Sequence, residues 1–168
     1  VAATYLVLAP VGYAGSRRLV VTRLAVTHPS LPHELEVLRI VQICDMHIGP
    51  HISPAWLARV AAAVREARPD VIVVAGDLID DYARDVDLYA ATFGDLIAPL
   101  GVYVIAGNHE VYAGWNDVRP RLEALPITLL VNDGRVLEHR GARLAIVGTG
   151  DPESGTVVSG MPEQYNSA

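Results

Sequence analysis

The chain has 168 residues, of which 51% are hydrophobic and 19% charged, and its formal net charge is -6. This length suits one domain with a sizeable core, and the composition excludes an intrinsically disordered chain. Its 13 basic residues are scattered arginines, which argues against a nucleic-acid binder, and one cysteine, Cys44, excludes an internal disulfide and a cysteine-rich metal site.

Residues 1–18 form an apolar N-terminal segment. The stretch from Ala2 to Ala14 is apolar, and Arg17 and Arg18 follow it. A membrane span needs about 20 apolar residues, so this stretch alone is too short. Two interpretations stay open: an ordinary buried element, or the end of a longer span. The second would make the protein membrane-associated, on a side of the membrane that the sequence leaves open.

The central part of the chain alternates between strand and helix patterns. Leu19–Val26 is predicted as a first strand, and a loop with Pro29 and Pro32 follows it. Three strand-helix units then succeed one another. Their strands are Val37–Cys44, Val71–Ala75 and Val102–Ala106; their helices begin at Pro54, cover Tyr82–Ile97, and carry the stripe Val118, Leu122 and Leu125. This alternation predicts an α/β fold with a parallel sheet, in which the run Val37–Cys44 is buried on both faces.

Strands without helices between them are predicted after the third unit. They cover Ile127–Val131, Arg135–His139 and Arg143–Val147, and a turn at Arg140 and Gly141 joins the last two. Residues 148–168 are rich in Gly, Pro and Ser and are predicted to be a loop or a frayed end.

Polar residues follow each of the three parallel strands at the point where it ends. They are Asp45 and His47 after the first strand, Asp77 and Asp80 after the second, and Asn108, His109 and Glu110 after the third. The carboxyl ends of parallel strands lie along one edge of a sheet, so these side chains are expected to converge. An Asp or a His at one strand end is commonly a turn or surface residue, but three such ends together favour a site.

Carboxylate, imidazole and amide groups are ligands for divalent ions such as manganese, iron or zinc. One central Asp can bridge two ions. Such a pair can hold a phosphoryl group between the ions, lower the pKa of a bridging water to give hydroxide, and stabilise charge during in-line attack. An unligated imidazole nearby can protonate the leaving alkoxide.

These segments resemble the first three motifs of the calcineurin-like metallophosphoesterases, which are D-x-H, G-D-x-x-D and G-N-H-[DE]. Three further features resemble those of the membrane-associated bacterial branch of that superfamily: the apolar N-terminus, Pro32 before the first motif and Tyr112 after the third. The resemblance implies a layered sandwich of β-sheets flanked by helices. It also implies that Asp45 and His47 bind one metal, Asp77 bridges, Asn108 binds the second metal, and His109 is the leaving-group acid. Asp80 and Glu110 are expected to shape the loops by hydrogen bonding and not to ligate.

One departure from the family pattern concerns the residues after His109. The family completes its site with a lone His and a G-H-x-H segment, whereas only His139 follows His109 here. His139 is predicted to be an exposed strand-end residue. Residues 19–168 are therefore expected to be the N-terminal part of a metallophosphoesterase domain that is incomplete at the C-terminus.

The function predicted is metal-dependent hydrolysis of phosphate ester or pyrophosphate bonds by a dinuclear centre. The substrate class extends to lipid-linked and cell-envelope-linked phosphates, and no nucleic-acid binding is expected. The alternative is a non-catalytic metal-binding or scaffold domain that lacks the second half of the site.

Overall fold

The structure is a computed structural model that describes residues 2–150; of residues 2–7 and Ser16 only the backbone is described. Its helices are α1 (Ala2–Ser16), α2 (Pro54–Ala67), α3 (Val86–Phe93), α4 (Asn108–Tyr112) and α5 (Trp115–Glu123), and two 3₁₀ turns cover His33–Leu35 and Ala83–Asp85. Its strands are β1 (Ile40–Ile43), β2 (Val71–Ala75), β3 (Val102–Ile105), β4 (Thr128–Leu129), β5 (Asp133–His139) and β6 (Ala142–Gly148).

The centre of the fold is a four-stranded parallel sheet in the order β1-β2-β3-β4. In the register, Ile40 pairs with Val71, Ile72 with Val102, and Tyr103 with Thr128. β-branched residues dominate the first three strands and pack well on a pleated surface. Because the strands are parallel, the ends of β1, β2 and β3 lie along one edge, as the alternating pattern predicted.

Helices α2, α3 and α5 cover one face of this sheet. Helix α2 begins where Ser53 accepts the N–H of Trp56 at 3.3 Å and Pro54 takes the first helical position. The apolar stripes of the three helices bury their side chains against alternate residues of the strands; the main contributors are Leu57, Val60, Val64, Tyr89, Phe93, Val118, Leu122, Ile72, Val74, Val102 and Val104.

The antiparallel hairpin β5-β6 covers the other face. Its turn residues, Arg140 (φ 54°) and Gly141 (φ 91°), are both left-handed, as a two-residue hairpin turn requires. Leu137 of the hairpin packs in one cluster with Val71 and Tyr103 of the central sheet. The predicted layered α/β sandwich is therefore confirmed.

Several predicted elements differ in extent from the structure. Leu19–Val26 is not a strand, because within residues 2–150 no neighbouring strand pairs with it, and Leu24 is 85% exposed. The first parallel strand is shorter than predicted and, as an edge strand, leaves Ile40 half exposed. The second helix begins as a 3₁₀ turn and ends at Phe93, because Gly94 follows with its low helix propensity.

The N-terminal segment is helical, and its residues 8–15 are exposed. Leu8, Val11 and Tyr13 of α1 each leave more than half of their surface in solvent, so no described residue buries this part of the segment, and both interpretations of residues 1–18 stay predictions. In the part of the chain that the structure describes, α1 included, no helix combines the length and the apolar character needed to cross a membrane.

Candidate metal centre

The loops that follow β1 and β2 run side by side. The N–H of Asp45 donates to the carbonyl of Gly76 at 3.3 Å, and the N–H of His47 donates to the carbonyl of Asp77 at 3.0 Å. A bridge between Ile48 and Ile79 continues the pairing. The two polar loops are therefore fixed relative to each other by backbone hydrogen bonds, and their side chains share one surface.

Three of the predicted ligands have left-handed backbone conformations. The φ angles are 52° at Asp45, 43° at His47 and 48° at Asp77. Such conformations cost about 1–3 kcal/mol each in non-glycine residues and cluster at functional sites. Between and beside these residues, Met46 and Leu78 are buried in the core. The apolar neighbours hold the turns in place while the three polar side chains point to the common edge.

Glu110 is the buried charged group beneath this edge. Only 1% of its surface is exposed, and its carboxylate accepts four backbone N–H bonds: from Asp77 at 3.0 Å, Leu78 at 2.8 Å, Ile79 at 3.1 Å and Gly107 at 2.7 Å. Burial of a carboxylate is costly unless its oxygens are hydrogen-bonded, and here both oxygens are. The expected loop-shaping role of Glu110 agrees with these contacts.

Two glycines allow the second and third loops to approach each other. Gly76 has φ 82°, a conformation that favours glycine. A Cβ atom on Gly107 would fall on the carboxylate of Asp77 and lie 2.6 Å from its backbone nitrogen. No side chain larger than hydrogen fits there without moving Asp77.

The first group of candidate ligands comprises Asp45, His47 and Asp77. One ligand atom from each lies within 4.8 Å of the others. Asp45 is exposed, and the other two are half-buried. Hydrogen bonding to Asp45, with a smaller effect of burial, raises the pKa of the Cys44 thiol, so this thiol is not activated.

Asn108 joins Asp77 from the third strand end. Its side-chain amide lies 3.1 and 3.2 Å from the two carboxylate oxygens of Asp77. With the amide nitrogen turned towards Asp77 these contacts are two hydrogen bonds. With the amide oxygen turned there, three oxygens face one another, and a cation between them would remove their repulsion. The donor set therefore fits a divalent ion shared by Asp77 and Asn108.

His109 lies beside these ligands with one ring nitrogen engaged. Its backbone N–H donates to Asp77 at 3.1 Å, and its Nδ1 lies 2.9 Å from the backbone carbonyl of Asp80. A carbonyl only accepts, so Nδ1 carries the proton in this contact and Nε2 is left for another partner. The ring is 4.3 Å from that of His47 between centroids, in an edge-to-face arrangement.

The contact of Asp80 with both histidines was not predicted from the sequence. Its Oδ1 lies 3.6 Å from Nδ1 of His47 and 3.5 Å from Nδ1 of His109, and these three residues form a second group able to hold a metal. The only hint of this contact in the sequence is that Asp80 lies three positions after Asp77, and this spacing does not tell where the Asp80 side chain points. The expectation that Asp80 hydrogen-bonds instead of ligating stays a prediction.

A family model described as the calcineurin-like phosphoesterase matches residues 38–161, which is well over half of the chain. The chain belongs to the calcineurin-like phosphoesterases. The matched range includes all the residues of the candidate centre and both sheets. Divalent metal ions are implied by this family, and the acidic, imidazole and amide groups described above fit them.

Curated relatives of this phosphoesterase chain come from animals and bacteria. A transmembrane protein with a metallophosphoesterase domain from Danio rerio is 37% identical over 89 residues, 51% of this chain and 20% of the relative. An uncharacterized metallophosphoesterase from Campylobacter jejuni is 33% identical over 88 residues, covering 52% and 24%. A UDP-2,3-diacylglucosamine pyrophosphatase from Chlamydia muridarum is 33% identical over 113 residues, covering 66% and 34%. The chain thus spans a fifth to a third of the length of these relatives.

His139 lies at the opposite edge of this phosphoesterase sheet. It ends β5 and lines a small cavity with Arg39 and Asp70, which directly precede β1 and β2. His139 therefore has no part in the candidate metal centre, in agreement with its predicted strand-end position, although it is half-buried and not fully exposed.

Proposed function

We propose that this chain carries the metal centre of a hydrolase that cleaves phosphate ester or pyrophosphate bonds with two divalent ions. The observation that carries the proposal is the convergence of Asp45, His47, Asp77, Asn108 and His109 at one edge of the sheet. Manganese, iron and zinc all suit this mixture of oxygen and nitrogen donors.

The proposed ligand roles follow from which side chains lie together. Asp45 and His47 hold the first ion with Asp77, in support of which their ligand atoms lie within 4.8 Å of one another. Asn108 holds the second ion, because its amide faces both oxygens of Asp77. Asp77 would be the ligand common to both ions, because it lies beside Asp45 and His47 on one side and Asn108 on the other.

When bound, the two ions supply a water of lowered pKa and neutralise charge on the phosphoryl group. His109 then acts as the general acid. Its Nδ1–H donates to Asp80, so an imidazolium at this position can give its Nε2 proton to the leaving oxygen as the bond from phosphorus to that oxygen breaks. The Asp80 carbonyl fixes the orientation of the ring, and a carboxylate oxygen of Asp80 lies 3.5 Å from the same Nδ1.

The substrate class extends to lipid-linked or cell-envelope-linked phosphates. The name of the Chlamydia muridarum relative, a UDP-2,3-diacylglucosamine pyrophosphatase, supports a pyrophosphate bond in an acylated sugar nucleotide. Relatives named as transmembrane proteins, in Danio rerio and Bos taurus, together with the exposed apolar side chains of Leu8 and Val11 in α1, support association with a membrane. Neither location nor substrate is required by the chemistry of the centre itself.

The proposal is tested by metal content and turnover in the same protein. The chain, extended to a complete phosphoesterase domain, is stripped of metal, reloaded with manganese, iron or zinc, and assayed with an aryl phosphate monoester, an aryl phosphate diester and a pyrophosphate diester. We expect metal-dependent hydrolysis of at least one of them, lost in Asp45→Asn and retained in the surface variant Asp87→Asn. Firm binding of two ions without hydrolysis of any substrate would favour the non-catalytic alternative.

A further inference from the structure

The small cavity beside His139 lies at the amino edge of the central sheet, opposite the edge that carries the candidate metal centre. Its volume is about 220 Å³, and it is lined by Val37, Arg39, Arg68, Asp70, His139 and Arg140. These residues come from four separate places: the segment before β1, the end of α2, the start of β2 and the turn of the β5-β6 hairpin. Only the tertiary fold brings them together.

The charge of this cavity is opposite to that of the chain. Three arginines and one aspartate line it, whereas the chain as a whole has a net charge of -6. Within residues 2–150, no carboxylate lies in ion-pair distance of Arg39, Arg68 or Arg140, although four other arginines are paired with Asp or Glu. All three arginines are exposed, so solvent screens their mutual repulsion, but together they attract an anion to the cavity.

Two negatively charged groups beside the cavity weaken the binding of an anion, but the positive charge around the cavity is larger. The carboxyl end of α2 carries a partial negative charge of about half a unit. Asp70 is negative as well, but its Oδ2 accepts the backbone N–H of Arg39 at 2.8 Å, so part of its charge is already satisfied. Three full positive charges exceed these two negative contributions, and His139 adds a further donor.

We propose that this cavity binds a phosphate-type oxyanion, either free or as the terminal group of a small molecule. Arginine is the residue that suits such anions, because its planar fork donates two parallel hydrogen bonds. The volume is below the range of about 300–1,000 Å³ of ordinary ligand pockets, which excludes a whole nucleotide from the enclosed part. The proposal is independent of the proposed hydrolysis and places a second phosphate-binding site at the opposite edge of the sheet.

The test is a titration of the metal-free, ¹⁵N-labelled chain followed by nuclear magnetic resonance at constant ionic strength. Inorganic phosphate and glycerol 3-phosphate are added separately, so that a free anion and a terminal phosphate are distinguished. We expect saturable shifts of the amide signals of Arg68, Asp70, His139 and Arg140 with at least one of the two. Shifts that stay linear, that sodium chloride reproduces, or that are confined to Asp77, Asn108 and His109 would overturn the proposal.

Variants assign the binding to the arginines. The double variant Arg39→Gln/Arg140→Gln is expected to weaken binding by roughly tenfold or more, since two of three charge-assisted contacts are lost. Arg59→Gln, an exposed arginine on α2 outside the cavity, is the matched control and should bind as the unmodified chain does. If the double variant does not fold, Arg140→Lys keeps the charge and removes the fork. Unchanged affinity in the folded arginine variants would contradict the assignment.

Discussion

The carboxylate of Glu110 accepts a hydrogen bond from the backbone N–H of Asp77 at 3.0 Å. A residue that follows the third strand therefore holds in place the turn after the second strand, which carries Asp77. The same carboxylate also binds the next two N–H groups of that loop. The position of Asp77 therefore depends on a buried anion more than 30 residues away in the chain. This arrangement makes stability and metal binding respond to the same substitution.

Glu110→Gln should lower both stability and metal affinity. A Gln side chain has one acceptor oxygen, and its NH₂ group would face N–H donors where the carboxylate accepts them. Hydrogen bonds to charged groups contribute about 1.5–3 kcal/mol each, so a loss of about 3 kcal/mol or more in unfolding free energy is expected. Denaturant titration measures it, with Glu123→Gln on the surface of α5 as the control. Equal stability of the two variants would contradict the role of Glu110.

Gly107→Ala should displace Asp77 without a comparable loss of fold. The added Cβ would occupy the place of the Asp77 carboxylate, so we expect weaker metal binding at both positions of the centre. Gly12→Ala in α1, where a Cβ meets no atom within 4 Å, is the matched control. Calorimetric titration of both variants with manganese checks the effect, and wild-type affinity in Gly107→Ala would show that the loop can move aside.

Asp77→Asn should reduce occupancy of both metal positions, because Asp77 is the one residue proposed to serve both ions. An amide keeps the size of the side chain but removes the charge and one acceptor. Elemental analysis after dialysis gives the metal content per chain. Two retained ions in Asp77→Asn, at the level of the Asp87→Asn control, would show that Asp77 does not bridge.

His109→Ala should spare metal content and slow hydrolysis, most of all for substrates with poor leaving groups. General acid catalysis is typically worth about 10² to 10⁴-fold, and it matters little when the leaving group is already a stable anion. Rates for nitrophenyl and alkyl phosphate esters are compared in His109→Ala and in the control His33→Ala. His33 is the control because its ring is exposed and lies outside the candidate centre. An equal loss for both esters would point to charge stabilisation instead of proton donation.

Tyr89 should make the fold sensitive to alkaline pH. Burial raises the pKa of its phenol from 10 to about 12. Because the folded state resists ionisation, this contribution to stability is complete below pH 10 and is lost as the pH rises towards 12. The loss amounts to at most about 2–3 kcal/mol. Between about pH 9 and pH 11, the unfolding free energy of Tyr89→Phe should fall less than that of the unmodified chain. If both proteins show the same pH profile, another group is responsible for the loss.

Local sequence patterns were enough to predict an α/β fold with a parallel sheet and the edge at which the site lies, whereas the layered sandwich was implied by the family resemblance. Val71–Ala75 was predicted at its observed limits. A short run of β-branched residues between a helix and a Gly-Asp turn strongly favours a strand. Leu19–Val26 has the same kind of pattern but is not a strand, since a strand needs a partner for its backbone groups and none is present among the described residues.

What the sequence by itself determined is the order of the strand-helix units and the residues at their ends, because hydrophobic period and turn residues act over a few positions. The tertiary structure alone decided which of those residues touch. The four N–H groups gathered by Glu110, the contact of Asp80 with two histidines, and the arginine cavity on the far edge all join segments that lie far apart in the chain. Such contacts depend on how the strands pair and the loops approach in space, which no local pattern records.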